Sequence, residues 1–425
     1  MNEVMTVLRV ERPYRRLLSA SLLSGIGSWF NNVALLSLLL HLTGSGLAIG
    51  ITLAVRTLPY LVMGPIGGIL ADRINRKTIL LISDFARVAF ALSFLLVHSL
   101  SQVWIAYAAT LGLALFSALY SPARTAVIPQ LVRPQHVIAA NSLEQSTTGL
   151  VMALGSALGG LVTASFGVEA AFIVNAASFL ASGLICWSIR FPNNPFLPQY
   201  KNSVDRAKDL HLENSPAPSF WAVFHQSRLI QIISIQALLW SIGGGVINVL
   251  VSVYGFQVFH GGNLGVGILY GALGVGFLIS GLIAHRFAGW LRLSAVSAAV
   301  LEGLGHVFVS QSPNLWVAAL FLVLSTIGAG VSNASIGSLV MKSVSQQVHG
   351  RVFALFDTTS SITIALSMMA TGFLLDHIPA RTLGFGAAAL LVCTALITGV
   401  ALLRIKLPTD VSQETGSTSV DLPSM

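Results

Sequence analysis

The sequence predicts an all-α integral membrane protein, with about twelve spanning helices in two similar six-helix halves and both termini cytoplasmic. Three observations carry this: a composition poor in charge, apolar runs of spanning length from end to end, and a repeat between the halves. Of 425 residues, 54% are hydrophobic and 9% charged, against about 25% charged in a typical soluble domain. A helix crossing about 30 Å of hydrocarbon takes about 20 mostly apolar residues. Segments meeting that ruler fall at 17–42, 47–70, 78–98, 103–126, 138–164 and 168–189, then at 229–254, 264–285, 290–310, 313–340, 350–375 and 381–403.

These segments divide the chain into a cytoplasmic N-terminal tail (1–16), a first bundle (17–189), a polar linker (190–228), a second bundle (229–403) and a Ser/Thr-rich tail (404–425), which is expected to be disordered. The start, MNEVMTVLRVERPYRR, is polar and basic, and the apolar run after it is too long for a signal peptide, so none is expected. Basic residues cluster in the N-terminal tail (Arg9, Arg12, Arg15, Arg16) and in every second connection: Arg73, Arg76 and Lys77; Arg124 and Arg133; the linker; Arg286 and Arg292; Lys342 and Arg351; Arg404 and Lys406. The alternate connections hold only Arg381. This asymmetry places the termini and the linker on the cytoplasmic side. It also accounts for the net charge of +8 without a nucleic-acid partner.

The halves repeat one another. Residues from Gln135 (QHVIAANSLEQS) align with those from Gln347 (QVHGRVFALFDT) at an offset of 212, and those from Gly67 (GGILADRINRK) with those from Ser280 (SGLIAHRFAGW) at 213. Two agreeing offsets define parallel six-helix repeats about an axis along the membrane normal.

The turn after the second segment reads Gly68-Ile-Leu-Ala-Asp72-Arg73-Ile-Asn75-Arg76-Lys77. It resembles the signature G-x-L-a-D-R-x-G-R-K of the major facilitator superfamily, with Asn75 at the second glycine, where asparagine tolerates left-handed backbone. The resemblance implies that Asp72 pins the cytoplasmic end of the eleventh helix, an electrostatic latch that holds the outward-open state. Ser83-Asp84-Phe-Ala-Arg87, Ser121-Pro-Ala-Arg124, Ala140-Asn-Ser-Leu143 and His349-Gly-Arg351-Val352 extend the likeness over nearly the whole chain. Together they resemble the exporter branch that holds macrolide efflux and enterobactin export proteins. Gly155-Ser-Ala-Leu-Gly159-Gly160 is similar to the antiporter motif G-P-x-x-G-G, with Ser156 at the proline. Small residues at this spacing also serve close helix packing.

Ionisable residues inside spanning segments are functional candidates. Asp84 and Arg87 share a helix face at i, i+3, either neutralising each other or taking part in gating. Glu144 and Asp357 sit near equivalent points of the repeat and are expected to carry proton coupling; Glu302 and His306, at i, i+4, form a second candidate relay. Arg56 either holds an anionic substrate group or pairs with a buried acid. In the fold the resemblance implies, helices one, four, seven and ten line the cavity. They offer Trp29, Asn31 and Asn32; Tyr120; Gln236, Trp240, Asn248 and Tyr254; and Asn333. Aromatics with sparse amides suit an amphiphilic ligand. The Gly243–Gly245 run is a candidate point for helix seven to bend during gating.

No Walker loop, HExxH, CxxC or clustered His is present, so catalysis, a cofactor and a metal site are not expected. Cys186 and Cys393 lie apart in apolar runs, which argues against a disulfide framework. The expected protein is a monomeric multi-pass transporter of the cell inner membrane. It exports a small amphiphile (drug-like compound, siderophore or metabolite) against protons. A proton-coupled importer or uniporter, a lysolipid flippase and a non-transporting sensor or scaffold are the alternatives.

Overall fold

The computed structural model describes residues 2–190, 224, 227–287, 289–343 and 346–405. Most of the expected linker and nearly all of the C-terminal tail lie outside the described residues. The side chains of Asp72 and Arg351, and the surroundings of Gly68, lie outside what the structure describes.

Among the described residues, twelve long helices appear where the apolar segments predict them. They are α1 (Arg12–Thr43), α2 (Gly46–Arg73), α3 (Arg76–Ser93), α4 (Val103–Leu131), α5 (Val137–Phe166), α6 (Val168–Ser188), α7 (Arg228–Val253), α8 (Gly262–Ile283), α9 (Leu291–Gln311), α10 (Leu315–Ser343), α11 (Gln346–Leu374) and α12 (Ala380–Arg404). In hydrocarbon each backbone N–H needs an internal partner, so apolar runs of this length close into helices. The polar ends cap them. The Ser45 side chain accepts from the Leu47 N–H at 3.1 Å at the start of α2, and Gly44, at φ 63°, supplies the left-handed residue that ends α1.

At the α2–α3 turn the structure departs from expectation. Asn75 has φ −56° and its side chain accepts from the Lys77 N–H at 2.9 Å. It therefore replaces the signature glycine as the N-cap of α3 and adopts no left-handed backbone. The Gly243–Gly245 run is continuous helix in this state. It is a packing face against α11 and α12: a methyl group on Gly245 would sit 2.8 Å from the Ile364 carbonyl oxygen. The irregular turn of that helix lies further on, where Tyr254–Val258 widens to π geometry.

The helices form two bundles with the same internal packing. In the first, α1 packs on α5 and α6, and α4 on α2 and α3, while α3 also meets α6; in the second, α7 packs on α11 and α12, and α10 on α8 and α9, while α9 also meets α12. Between bundles the main contacts are α5 with α8 and α2 with α11, exchanged by the same pseudo-twofold axis. At the end away from the termini both bundles share one apolar core, containing Leu36, Ile49 and Phe172 together with Leu250, Leu269 and Met368. At the end bearing the termini each bundle keeps its own: one around Tyr14, Leu80 and Ile128, the other around Ile230, Val340 and Leu402. The molecule is thus sealed at one end and divided at the other.

A short amphipathic helix, Asn2–Val10, docks Val7 into the first of those separate cores. Glu11 follows it and ties it to the α4–α5 turn: its Oε1 lies 2.8 Å from both Arg133 Nε and His136 Nδ1. Burial pushes the Glu11 carboxyl up, but the hydrogen bonds from Arg133 and His136 outweigh it and hold the group below the usual carboxylate range. The tie's stability is therefore present above the unfolded pKa of about 4.3 and lost as pH falls through the depressed folded value. Glu11→Gln is expected to cost on the order of 1 kcal/mol at pH 7, because Arg133 is half exposed and screened. Thermal unfolding in detergent should show that difference shrink below about pH 4.5.

Candidate functional site

Each bundle encloses a polar cavity, and the two are the same place in the repeat. The first, of about 270 Å³, lies among α1, α2, α3, α4 and α6. The second, of about 190 Å³, lies among α7, α9, α10, α11 and α12. Gln236, Trp240, Ala299, Ser332, Ile336 and Leu391 line the second cavity, and each stands 212 residues after a residue lining the first: Ser24, Ser28, Arg87, Tyr120, Arg124 and Phe179.

Their chemistry differs. On the first, Asp84 and Arg87 are 0% and 5% exposed and form an ion pair within α3. The Ser182 hydroxyl donates to Asp84 Oδ2 at 2.9 Å. The Arg87 guanidinium lies 4.3 Å from the centre of the Tyr120 ring and 4.5 Å from that of Phe179. Such cation–π seats lower the cost of a desolvated cation. Arg124 of α4 pairs with Glu144 of α5, and the Tyr14 hydroxyl donates to Glu144 Oε1 at 3.1 Å. Arg56 of α2 donates to the Asn32 side chain and lies 5.8 Å from the centre of the Trp29 ring. Trp29 in turn meets Tyr270 of α8 at 5.5 Å, so this stack runs from the first cavity into the other bundle.

In the second cavity the positions of Asp84, Arg87, Arg124 and Glu144 are held by Val296, Ala299, Ile336 and Phe356. Its ionisable lining residue is Glu302, at the repeat position of Phe90. Glu302 Oε1 accepts from Trp240 Nε1 at 2.7 Å and has no cationic partner among the described residues. His306, one turn further along α9, is buried and lines a small void toward the sealed end. Asp357 is exposed on α11. Gln236 and Asn333 join Trp240 and Glu302 around the second cavity. Asn248 instead donates back to the Gly244 carbonyl at 2.8 Å, and Tyr254 to that of Ala380 at 3.2 Å near the sealed end.

The cations of the α2–α3 turn tie the first bundle together. Arg76 donates to the Ala126 carbonyl at 2.7 Å, and Lys77 Nζ to the Trp187 and Ile189 carbonyls at 2.6 and 2.8 Å. Each thus satisfies carbonyls near the C-terminal end of a helix, where positive charge is favoured. Arg73 is exposed. The glycines of α5 serve two faces. A methyl group on Gly155 would lie 2.7 Å from Trp29 Cβ, and one on Gly159 2.9 Å from Phe30 Cα, both on α1; one on Gly160 would lie 2.8 Å from Gly267 Cα, across the bundle boundary on α8.

Sequence reasoning missed two members of this site. Asn175 lines the first cavity from α6, a helix expected to lie outside the cavity-lining set, although an amide inside VEAAFIVNAASF is itself a signal. Tyr270 was hidden among the glycines of α8.

A family model described as Major Facilitator Superfamily matches residues 17–368. The chain is 25% identical to "Uncharacterized MFS-type transporter YfiS" of Bacillus subtilis (strain 168), over 94% of each chain. It is 21% identical to "Macrolide efflux protein A" of Streptococcus pyogenes, over 86% of this chain and 90% of that one. Among solved structures, the nucleoside transporter NupG superposes with a TM-score of 0.68 at 12% identity, covering 92% of this chain and 99% of that one. At that identity the likeness concerns the fold.

Proposed function

This chain belongs to the Major Facilitator Superfamily, and from that premise we propose that it exports a small amphiphilic molecule by alternating access, in exchange for protons. The observation that carries the reading is the division of the core: one apolar seal joins the bundles at one end, and separate cores leave them apart at the other, beside two polar cavities. Two bundles rocking about such a seal expose the cavities to one side at a time. The basic termini-bearing end is assigned to the cytoplasm by its charge, so the arrangement described corresponds to the loading state. Asp72 with Gly68, Arg73 and Arg351 is assigned to the contact that closes that end in the opposite state. Similarity to a macrolide efflux protein supports the outward direction and an amphiphilic cargo.

Coupling is assigned to Glu302. Its carboxyl lines a cavity with one neutral donor and no neighbouring cation among the described residues, an arrangement that a proton completes. Glu144, which already has Arg124 and Tyr14, and the exposed Asp357 are the lesser candidates.

The test is retention of a panel of macrolides, cationic dyes and catecholate siderophores in an efflux-deficient bacterium expressing the chain, with and without a protonophore. Retention of at least one compound should fall, and both the protonophore and Asp72→Asn should restore it. Glu302→Gln should leave the protein in the membrane while removing the response to the proton gradient. Raised retention would make the protein an importer, and gradient-driven export surviving Glu302→Gln would move coupling elsewhere.

A further inference from the structure

Resting on the reading of the chain as a carrier, we infer that the cavity of the first bundle is a binding site for a small organic monoanion, with Arg56 as the group that receives its charge. Three guanidinium groups border it, those of Arg56, Arg87 and Arg124. Two are matched by carboxylates, Asp84 and Glu144. Arg56 has no carboxylate partner among the described residues; its ligand is the neutral Asn32 side chain. A cation in a membrane-embedded cavity calls for a counter-charge, and here one unit remains to be supplied.

Other polar atoms around the cavity are also waiting for a partner. Asn175 is 1% exposed, lines the cavity, and has neither its amide NH₂ nor its carbonyl oxygen hydrogen-bonded. Asn31 Oδ1 and Arg124 Nε are buried in the same condition. Buried polar atoms are nearly always paired, and leaving one unmade costs about 1–3 kcal/mol. Donors beside Arg56 would take an anionic head, and the amide acceptors a hydroxyl or N–H on the same molecule. The volume, about 270 Å³, falls just under the ~300–1,000 Å³ of drug-sized pockets, which limits the occupant to one or two rings. Tyr60, 45% exposed, lies one helical turn beyond Arg56 at the rim and marks the entrance.

The comparison within the molecule makes the assignment specific. The equivalent cavity of the second bundle has alanine and isoleucine at the positions of Arg87 and Arg124, and a carboxylate, Glu302, where the first has Phe90. The same pocket built twice carries opposite charge, so the cationic lining is a property of this one site and not of the fold. Occupancy also has a path to the gate. Arg56 rests on Trp29, and Trp29 on Tyr270 across the bundle boundary. An anion drawing Arg56 toward the cavity would loosen that stack.

The experiment uses full-length protein in phosphatidylcholine nanodiscs, with 2-naphthoate and its neutral isostere 2-naphthamide as probes, followed by calorimetric titration and thermal unfolding. Naphthoate should bind and raise the unfolding temperature, with naphthamide at least tenfold weaker. Arg56→Gln should weaken naphthoate at least tenfold without affecting naphthamide, and Arg56→Lys should recover part of the loss. Replacing part of the lipid with phosphatidylglycerol separates the two sources of such an anion. Unchanged naphthoate affinity marks a free acid as the occupant. Competition that disappears in Arg56→Gln marks a lipid headgroup. Equal binding of the two probes, naphthoate binding that survives in Arg56→Gln, or no naphthoate binding would each overturn the assignment. Because the wild-type comparison of probes needs no variant, poor folding of Arg56→Gln leaves it decisive. Binding without export in cells would refute the transport reading and leave this site standing; export of neutral or cationic compounds with no naphthoate binding would do the reverse.

Discussion

Asp84→Asn is expected to destabilise the protein by about 3–5 kcal/mol, the usual consequence of removing one partner from a buried ion pair. The discount for solvent screening does not apply, since Asp84 and Arg87 are 0% and 5% exposed. The aspartate receives Arg87 on one oxygen and the Ser182 hydroxyl on the other. The amide keeps the shape but leaves the guanidinium enclosed between Tyr120 and Phe179 without its counter-charge. Thermal unfolding in detergent should show the loss directly. The double variant Asp84→Asn/Arg87→Met should regain much of it, because it removes the stranded cation along with its partner. If the double variant is as unstable as the sum of the single ones, the pair contributes no coupling and its role lies elsewhere.

The second large effect concerns the seal. Gly267→Leu, or Gly160→Leu, should reduce transport at least a hundredfold while the protein still inserts. Even a methyl group on Gly160 would meet the Gly267 backbone at 2.8 Å, and that backbone has no rotamer with which to yield. A leucine at either position wedges α5 from α8, so the carrier is held away from the state described here. The measurement is cysteine cross-linking between the facing ends of α2 and α11, near Gly46 and Leu375, which should fall in the variant as transport falls. A variant that transports normally would show that this close approach is not required by the cycle.

Much of the fold was legible because a bilayer imposes a length on any apolar run that crosses it. All twelve helices lie within a few residues of the expected segments. Differences occur where a polar residue caps a helix or packing extends it, as at Asn75 and at Leu131, five residues beyond the expected end of the fourth segment. Site residues were legible as types: charge and amides inside spanning segments are rare enough to single out Arg56, Asp84, Arg87, Glu302 and Asn32 without coordinates. Partners were not. Nothing in the spacing assigns Arg124 to Glu144, twenty residues away on the next helix, or Trp240 to Glu302, because such pairs depend on the rotation of one helix against another. Nor did the repeat, read as weak identity, disclose that it preserves the cavity while inverting its charge.

The glycine seam between α5 and α8 has a mechanical consequence. Backbone lying on backbone gains dispersion only at contact, and a gap of 0.5–1 Å forfeits roughly a quarter to a half of it. Where Gly160 lies against Gly267, no side chain stands between the two backbones to stretch after a receding neighbour. Such a joint is brittle: it holds fully or lets go, with little in between. The two bundles should accordingly dwell in discrete positions, so that distances measured across the seam in single molecules fall into two separate populations and not a broad continuum.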